Sequence, residues 1–218
     1  MIQERLKELR AQMQERGIDI YIVPTSDFHQ SEYVGEYFKA RKYMTGFTGS
    51  AGTAVITKEE AGLWTDGRYF VQAEKQLAGS TVMLYRMGEE GVPTVDEFVE
   101  KELPESGCIG FDGRVVNGSW GRKLLAIAEK KKGSLYVTED LIDLIWKDRP
   151  ALSKEPLFLL EEKYSGKSTA DKIADLRKVM EKEGANVHIL TSLYDIAWLL
   201  NIRGGDIDYV PVILSYLV

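Results

Sequence analysis

The chain has 218 residues, 44% of them hydrophobic and 28% charged, with a formal net charge of -6. That is the composition of an ordinary globular protein, and a mild charge of mixed sign argues against a nucleic-acid-binding surface. The single cysteine, Cys108, excludes an internal disulfide, and no apolar stretch approaches the roughly 20 residues needed to cross a bilayer. A reducing, cytoplasmic setting is expected.

In chain order, residues 2–15 place Ile2, Leu6, Leu9 and Met13 on one helical stripe, and Gly17 supplies a stop. Residues 18–23 read as a buried strand ended by Pro24, and residues 27–41 as polar, aromatic loop with a short helix. Two strands are expected at 51–57 and 61–65, joined by a Lys-Glu-Glu turn, and a helix at 70–77. A strand at 81–86 precedes a helix at 94–103, where Thr94 and Glu97 have capping-box spacing. Cys108 opens a strand at 108–112, where a free thiol acts as a small hydrophobe. A helix at 118–131 and a short strand at 135–137 follow. The pattern is α/β with a mixed sheet and flanking helices.

From Asp148 to Pro156 two prolines stand in a polar segment without periodicity, which marks a boundary. A capped helix starts at Ser168, and the opening pattern then repeats. Leu9, Arg10, Met13 and Gly17 register with Leu176, Arg177, Met180 and Gly184. A second echo sets Tyr43-Met-Thr-Gly-Phe-Thr-Gly49 against Trp198-Leu-Leu-Asn-Ile-Arg-Gly204. The expected organisation is a domain over 1–147, a linker over 148–167 and a cut-short second copy over 168–218. One helix with two strands buries too little to stand alone, so the second copy must lean on something else. His188 is expected inside an apolar strand there, and residues 210–218 as a strand that pairs within a partial sheet or across a dimer.

Candidate chemistry is sparse. Two histidines, His29 and His188, offer no metal-ligand spacing, and there is no Gly-x-Ser-x-Gly elbow. Gly46, Gly49 and Gly52 precede a strand rather than a helix, so they suit a tight turn better than phosphate binding. His29 and Glu32 share a polar loop. Asp66-Gly-Arg68 lies at a strand end, the place where α/β folds expose functional groups, although an ion pair that fixes the turn is the favoured reading. Arg203 and Asp206 repeat this combination, with an intra-loop pair and an inter-domain contact both open.

Several longer motifs carry a resemblance. At His29-Gln-Ser-Glu-Tyr33, Thr45-Gly-Phe-Thr-Gly-Ser-Ala-Gly-Thr53, Trp64-Thr-Asp-Gly-Arg-Tyr-Phe70, Ile145-Trp-Lys-Asp-Arg-Pro150 and Asp195-Ile-Ala-Trp-Leu-Leu-Asn-Ile-Arg-Gly-Gly-Asp206, the chain resembles the cytosolic, three-domain Xaa-Pro aminopeptidases. The resemblance implies a creatinase-type amino-terminal domain followed by a partial second copy of it. The pita-bread catalytic domain and its two divalent metals, usually manganese, would lie outside this chain, which itself would bind no metal or other cofactor. It implies a role for Glu32 in holding the amino group of a peptide with proline at its second position, with His29 assisting, and a homodimer. Two alternatives stand beside it: a stand-alone binding or oligomerisation module derived from such an enzyme, and part of a creatinase-like hydrolase.

Overall fold

The computed structural model describes residues 1–218. The chain divides into two compact units, Met1–Glu32 with Tyr37–Pro150, and Tyr33–Glu36 with Ala151–Val218.

The first unit is a six-stranded mixed sheet with helices on both faces. Its elements are α1 (Ile2–Glu15), β1 (Ile20–Pro24), α2 (Ala40–Thr45), β2 (Thr53–Thr57), β3 (Ala61–Thr65), α3 (Phe70–Leu77), β4 (Met83–Arg86), α4 (Val95–Glu102), β5 (Cys108–Phe111), α5 (Gly118–Lys130), β6 (Ser134–Tyr136) and α6 (Leu141–Ile145). The strand order is β4-β3-β2-β1-β5-β6. β2 runs antiparallel to both β1 and β3, while β1 with β5, β3 with β4 and β5 with β6 are parallel.

β1 shows why the sheet has two covered faces. All five of its residues are buried, and successive side chains point to opposite sides. Tyr21 and Val23 join a core with Leu6, Leu9 and Met13 of α1, Met44 of α2, Ala73 and Leu77 of α3, and the apolar residues of α6. Ile20 and Ile22 join the opposite core with Trp64, Phe98 and Val99 of α4, and Leu124 and Ile127 of α5. Local signals set the helix starts. Thr94 and Glu97 complete the capping box of α4, Asn117 caps α5 and Asp140 caps α6. Strand ends sit within two residues of the expected positions. The short helix expected within 27–41 is a single 3-10 turn at Glu36–Phe38, while most of α2 and all of α6 fall in stretches with no predicted element.

The second unit holds β7 (Phe158–Leu159), α7 (Glu162–Ser165), α8 (Thr169–Lys182), α9 (Leu193–Leu200) and β8 (Ile202–Arg203), with β7 and β8 antiparallel. Ser168 caps α8 and Ser192 caps α9 through their side-chain oxygens. The carboxyl-terminal stop of α8 reproduces that of α1. Gly17 (φ 66°) and Gly184 (φ 67°) both take the left-handed conformation that favours glycine. Behind each, the next residue's N–H returns to the methionine carbonyl at 2.8 Å, Ile18 to Met13 and Ala185 to Met180.

Two expectations fail here. Residues 187–190 form no strand; Val187 and Ile189 are exposed, and so is His188. Residues 210–218 are likewise irregular and meet 190 at a single residue pair, Leu190 with Leu217. A strand persists only with a ladder to join. β1, the counterpart of 187–190, lies between β2 and β5, whereas the second unit supplies no such flanking strands. Its apolar cluster is small, formed by Leu193, Ala197, Ile207 and Val212.

Candidate functional site

The carboxyl end of β1, the start of β2 and the end of β3 surround an open cleft in the first unit. It is lined by the hydroxyl residues Thr25, Ser31, Ser50, Thr53 and Thr65, the backbone of Ala51 and Gly52, and Glu32, Asp66, Arg68 and Met87.

The wall at residues 46–52 is set by a buried arginine. Arg41, 4% exposed, donates from Nη1 to the Phe47 carbonyl at 2.5 Å, from Nη2 to the Gly49 carbonyl, and from Nε to Thr25 Oγ1 at 2.9 Å. Thr25 Oγ1 in turn donates to the Gly52 carbonyl at 2.8 Å. One guanidinium thereby joins the end of β1 to the glycine-rich loop. Burial pulls Arg41 down to about 10, because its partners are carbonyls and a hydroxyl rather than a carboxylate.

Asp66 and Arg68 form a forked pair across the turn after β3, Nε to Oδ1 at 2.8 Å and Nη2 to Oδ2 at 2.9 Å. The bond to Arg68 holds the Asp66 carboxyl below its ordinary range. Arg68 is held above its own range, chiefly by Asp66 and to a smaller degree by the charge of Glu32. The same fork recurs at Asp112-Gly-Arg114, where β5 ends, at 2.9 and 3.0 Å. The repetition identifies Asp-Gly-Arg as a self-braced turn of this fold. Both copies carry the same three residues in the sequence, and sequence reasoning missed the second.

Glu32 is exposed and lines the cleft. Its loop starts from Asp27, which is wholly buried and accepts at Oδ1 from the backbone N–H groups of His29 and Ser31, at 2.8 and 2.9 Å. The structure thus brings Glu32, Asp66 and Arg68 to one cleft. His29 lies in the same loop, half-buried, and is not among the residues that line the cleft.

Arg203 and Asp206 belong to the second unit and work separately. Arg203 Nη1 donates to the carbonyls of Ala197 and Ile202, both at 2.8 Å, which braces the end of α9. Asp206 Oδ2 accepts from the Leu214 N–H at 2.8 Å. With two glycines and a wider spacing between them, these residues do not repeat the Asp66–Arg68 fork.

Sequence reasoning passed over Arg41, because nothing in Lys39-Ala-Arg-Lys42 separates a buried cation from surface ones. Two carboxylates against one guanidinium give the cleft an acidic surplus. With its hydroxyl lining, that suits a cationic group presented by a small polar ligand. No three His, Cys, Asp or Glu side chains converge as a metal site, so the residues present do not fit a metal centre.

Comparison with known proteins places this geometry in context. The model of the Creatinase/Prolidase N-terminal domain matches residues 5–145, and a second model of the same description matches residues 148–218. A probable Xaa-Pro aminopeptidase P from Pyrenophora teres is 47% identical over 217 residues, 98% of this chain and 33% of that protein. One from Neurospora crassa is 44% identical over 218 residues, 99% of this chain and 32% of its own length. The chain therefore spans about a third of the length of these curated relatives. Among solved structures, the X-prolyl aminopeptidase of Caenorhabditis elegans, a cytosolic enzyme with a di-nuclear active site, superposes with a TM-score of 0.91 at 35% identity. That superposition covers 100% of this chain and 37% of the other.

Proposed function

Because the chain belongs to the creatinase/prolidase N-terminal domain family, we propose that it is the amino-terminal, non-catalytic region of an Xaa-Pro aminopeptidase. In this reading residues 1–147 are one creatinase-type domain, 148–167 a linker and 168–218 the first part of a second. The hydrolytic centre, with two divalent metals taken as manganese, lies in further polypeptide. No step of the chemistry runs through the residues of this chain, which alone has no peptidase activity. The enzyme is a homodimer and, like the X-prolyl aminopeptidase of Caenorhabditis elegans, cytoplasmic.

The substrate is a peptide with proline at its second position, and this region shapes the entrance and orients the amino end. Glu32 pairs with the substrate ammonium, and His29 assists from the same loop. The observation that carries this reading is the exposed Glu32 carboxylate on an acidic, hydroxyl-lined cleft beside the braced Asp66–Arg68 turn. An ammonium held by a carboxylate at a fixed distance sets how far the scissile bond lies from the chain end. Glu32→Gln keeps the size of the side chain, removes its charge and turns one acceptor oxygen into a donor. In the full-length enzyme that variant should raise KM for an Xaa-Pro peptide by about tenfold, equivalent to about 1.4 kcal/mol of lost binding, with kcat within about twofold. An unchanged KM would remove Glu32 from the account.

A further inference from the structure

The motif Ile145-Trp-Lys-Asp-Arg-Pro150 has no part in the reading above, yet its arginine is among the most constrained charges in the first unit. We infer that Arg149 is a positioning residue for the Glu32 loop, holding the carboxyl end of that loop at Tyr37. This rests on the role proposed for Glu32.

The loop over residues 27–38 is fixed at both ends. At its start the buried Asp27 carboxylate gathers the N–H groups of His29 and Ser31, immediately before Glu32. At its end, five residues beyond Glu32, Arg149 Nε donates to the Tyr37 carbonyl at 2.9 Å. The guanidinium also lies over the Tyr37 ring, 4.0 Å from its centroid. The next residue, Phe38, is buried and sits edge-on to Phe28, which closes the loop on itself.

Arg149 is itself immobilised from the other side. Its side chain is only 6% exposed, and Nη1 donates to Asp140 Oδ2 at 2.6 Å and to Asp143 Oδ1 at 3.3 Å. Asp140 is rigid in turn, because its Oδ1 accepts the Ile142 N–H at 2.9 Å and caps α6. A continuous path thus runs from the start of α6 through Asp140 and Arg149 to Tyr37, where the chain returns to the first unit five residues after Glu32. Only arginine serves here. Its planar fork sends Nε and Nη1 to different acceptors while its face stacks on an aromatic ring. A lysine keeps the charge but offers one nitrogen and no plane.

The test uses Arg149→Lys in the full-length enzyme, with Tyr37→Leu as a second variant that keeps the carbonyl and removes the stacking ring. Peptide-resolved hydrogen exchange reads the anchoring and steady-state kinetics read its consequence. For Arg149→Lys, exchange over residues 28–37 should accelerate by about tenfold while β1 and β5 stay as in the native protein. KM for an Xaa-Pro peptide should rise by about fivefold to tenfold with kcat within about twofold. Tyr37→Leu should move both readouts in the same direction by less, and it decides the matter if Arg149→Lys does not fold.

Unchanged loop exchange, or faster exchange spread evenly over the first unit, would overturn the inference. If Glu32→Gln raises KM and Arg149→Lys does not, the inference fails while the role of Glu32 stands. If Glu32→Gln itself leaves KM unchanged, the role of Glu32 fails and the inference falls with it.

Discussion

α1 and α8 are the same helix in two settings. Each has 14 residues, each ends on a left-handed glycine, and each returns an N–H to the same methionine position. Their apolar stripes nevertheless meet different fates. Leu9 and Met13 are 0% and 1% exposed against the sheet, whereas Leu176 and Met180 of α8 line open clefts and Val179 is 55% exposed. Helix, cap and stop are local properties that 15 or so residues can specify. Burial is a property of the sheet, and the first unit builds one of six strands where the second builds one of two.

Truncating the matched leucines gives the largest expected contrast. Leu9→Ala opens a cavity in a closed core and should cost about 3–5 kcal/mol. Leu176→Ala removes a half-exposed contact and should cost under about 1 kcal/mol. Denaturant unfolding followed by exchange in each unit separates the two effects. Similar costs at both positions would mean that the α8 face is as well packed as that of α1.

Alkaline pH is the next way to separate the units. Burial, and then the Asp140 charge, hold the Tyr21 phenol well above its ordinary range. The folded value exceeds the unfolded one, so this group's contribution to stability is complete below about pH 10. It drains away as pH rises from there towards the folded value. The first unit should lose stability above about pH 10, and Tyr21→Phe should flatten that loss. Tyr164, Tyr194, Tyr209 and Tyr216 of the second unit are exposed, so that unit has no buried phenol to match Tyr21 and should show no matching loss. Phenolate absorbance recorded alongside circular dichroism provides the check.

The smallest expected effect sharpens the likeness rather than the contrast. Gly17→Ala and Gly184→Ala force a side chain into the same left-handed conformation, at a cost of about 1 kcal/mol in each case. Helix-terminal exchange in α1 and α8 should rise equally. A large effect at Gly17 alone would show that the cap also depends on the core beneath it.

Legibility followed the same division. α1 and α3 stand where periodicity put them, and the capping box of α4 was written in Thr94 and Glu97, because those signals act within a few residues. α6 was missed, since five residues capped by Asp140 are too few to show a period. The strand expected at 187–190 had the right composition but no neighbour to pair with. In the candidate site, the self-braced Asp66–Arg68 turn could be read from spacing alone. Arg41 and Arg149 could not, because their burial depends on carbonyls and rings brought from elsewhere in the chain. That Glu32 shares a cleft with Asp66 and Arg68 likewise follows from β1 and β3 both flanking β2, a long-range fact that no local pattern carries.

The central claim is that Glu32 recognises a free amino group, and a two-by-two comparison tests it most directly. Native enzyme and Glu32→Gln are each assayed on an Xaa-Pro peptide and on its analogue lacking the amino group. The native enzyme should prefer the amine by about tenfold or more in kcat/KM, and the variant should lose most of that preference. An undiminished preference in Glu32→Gln would contradict the account, because the amino group would then be held by something other than this loop.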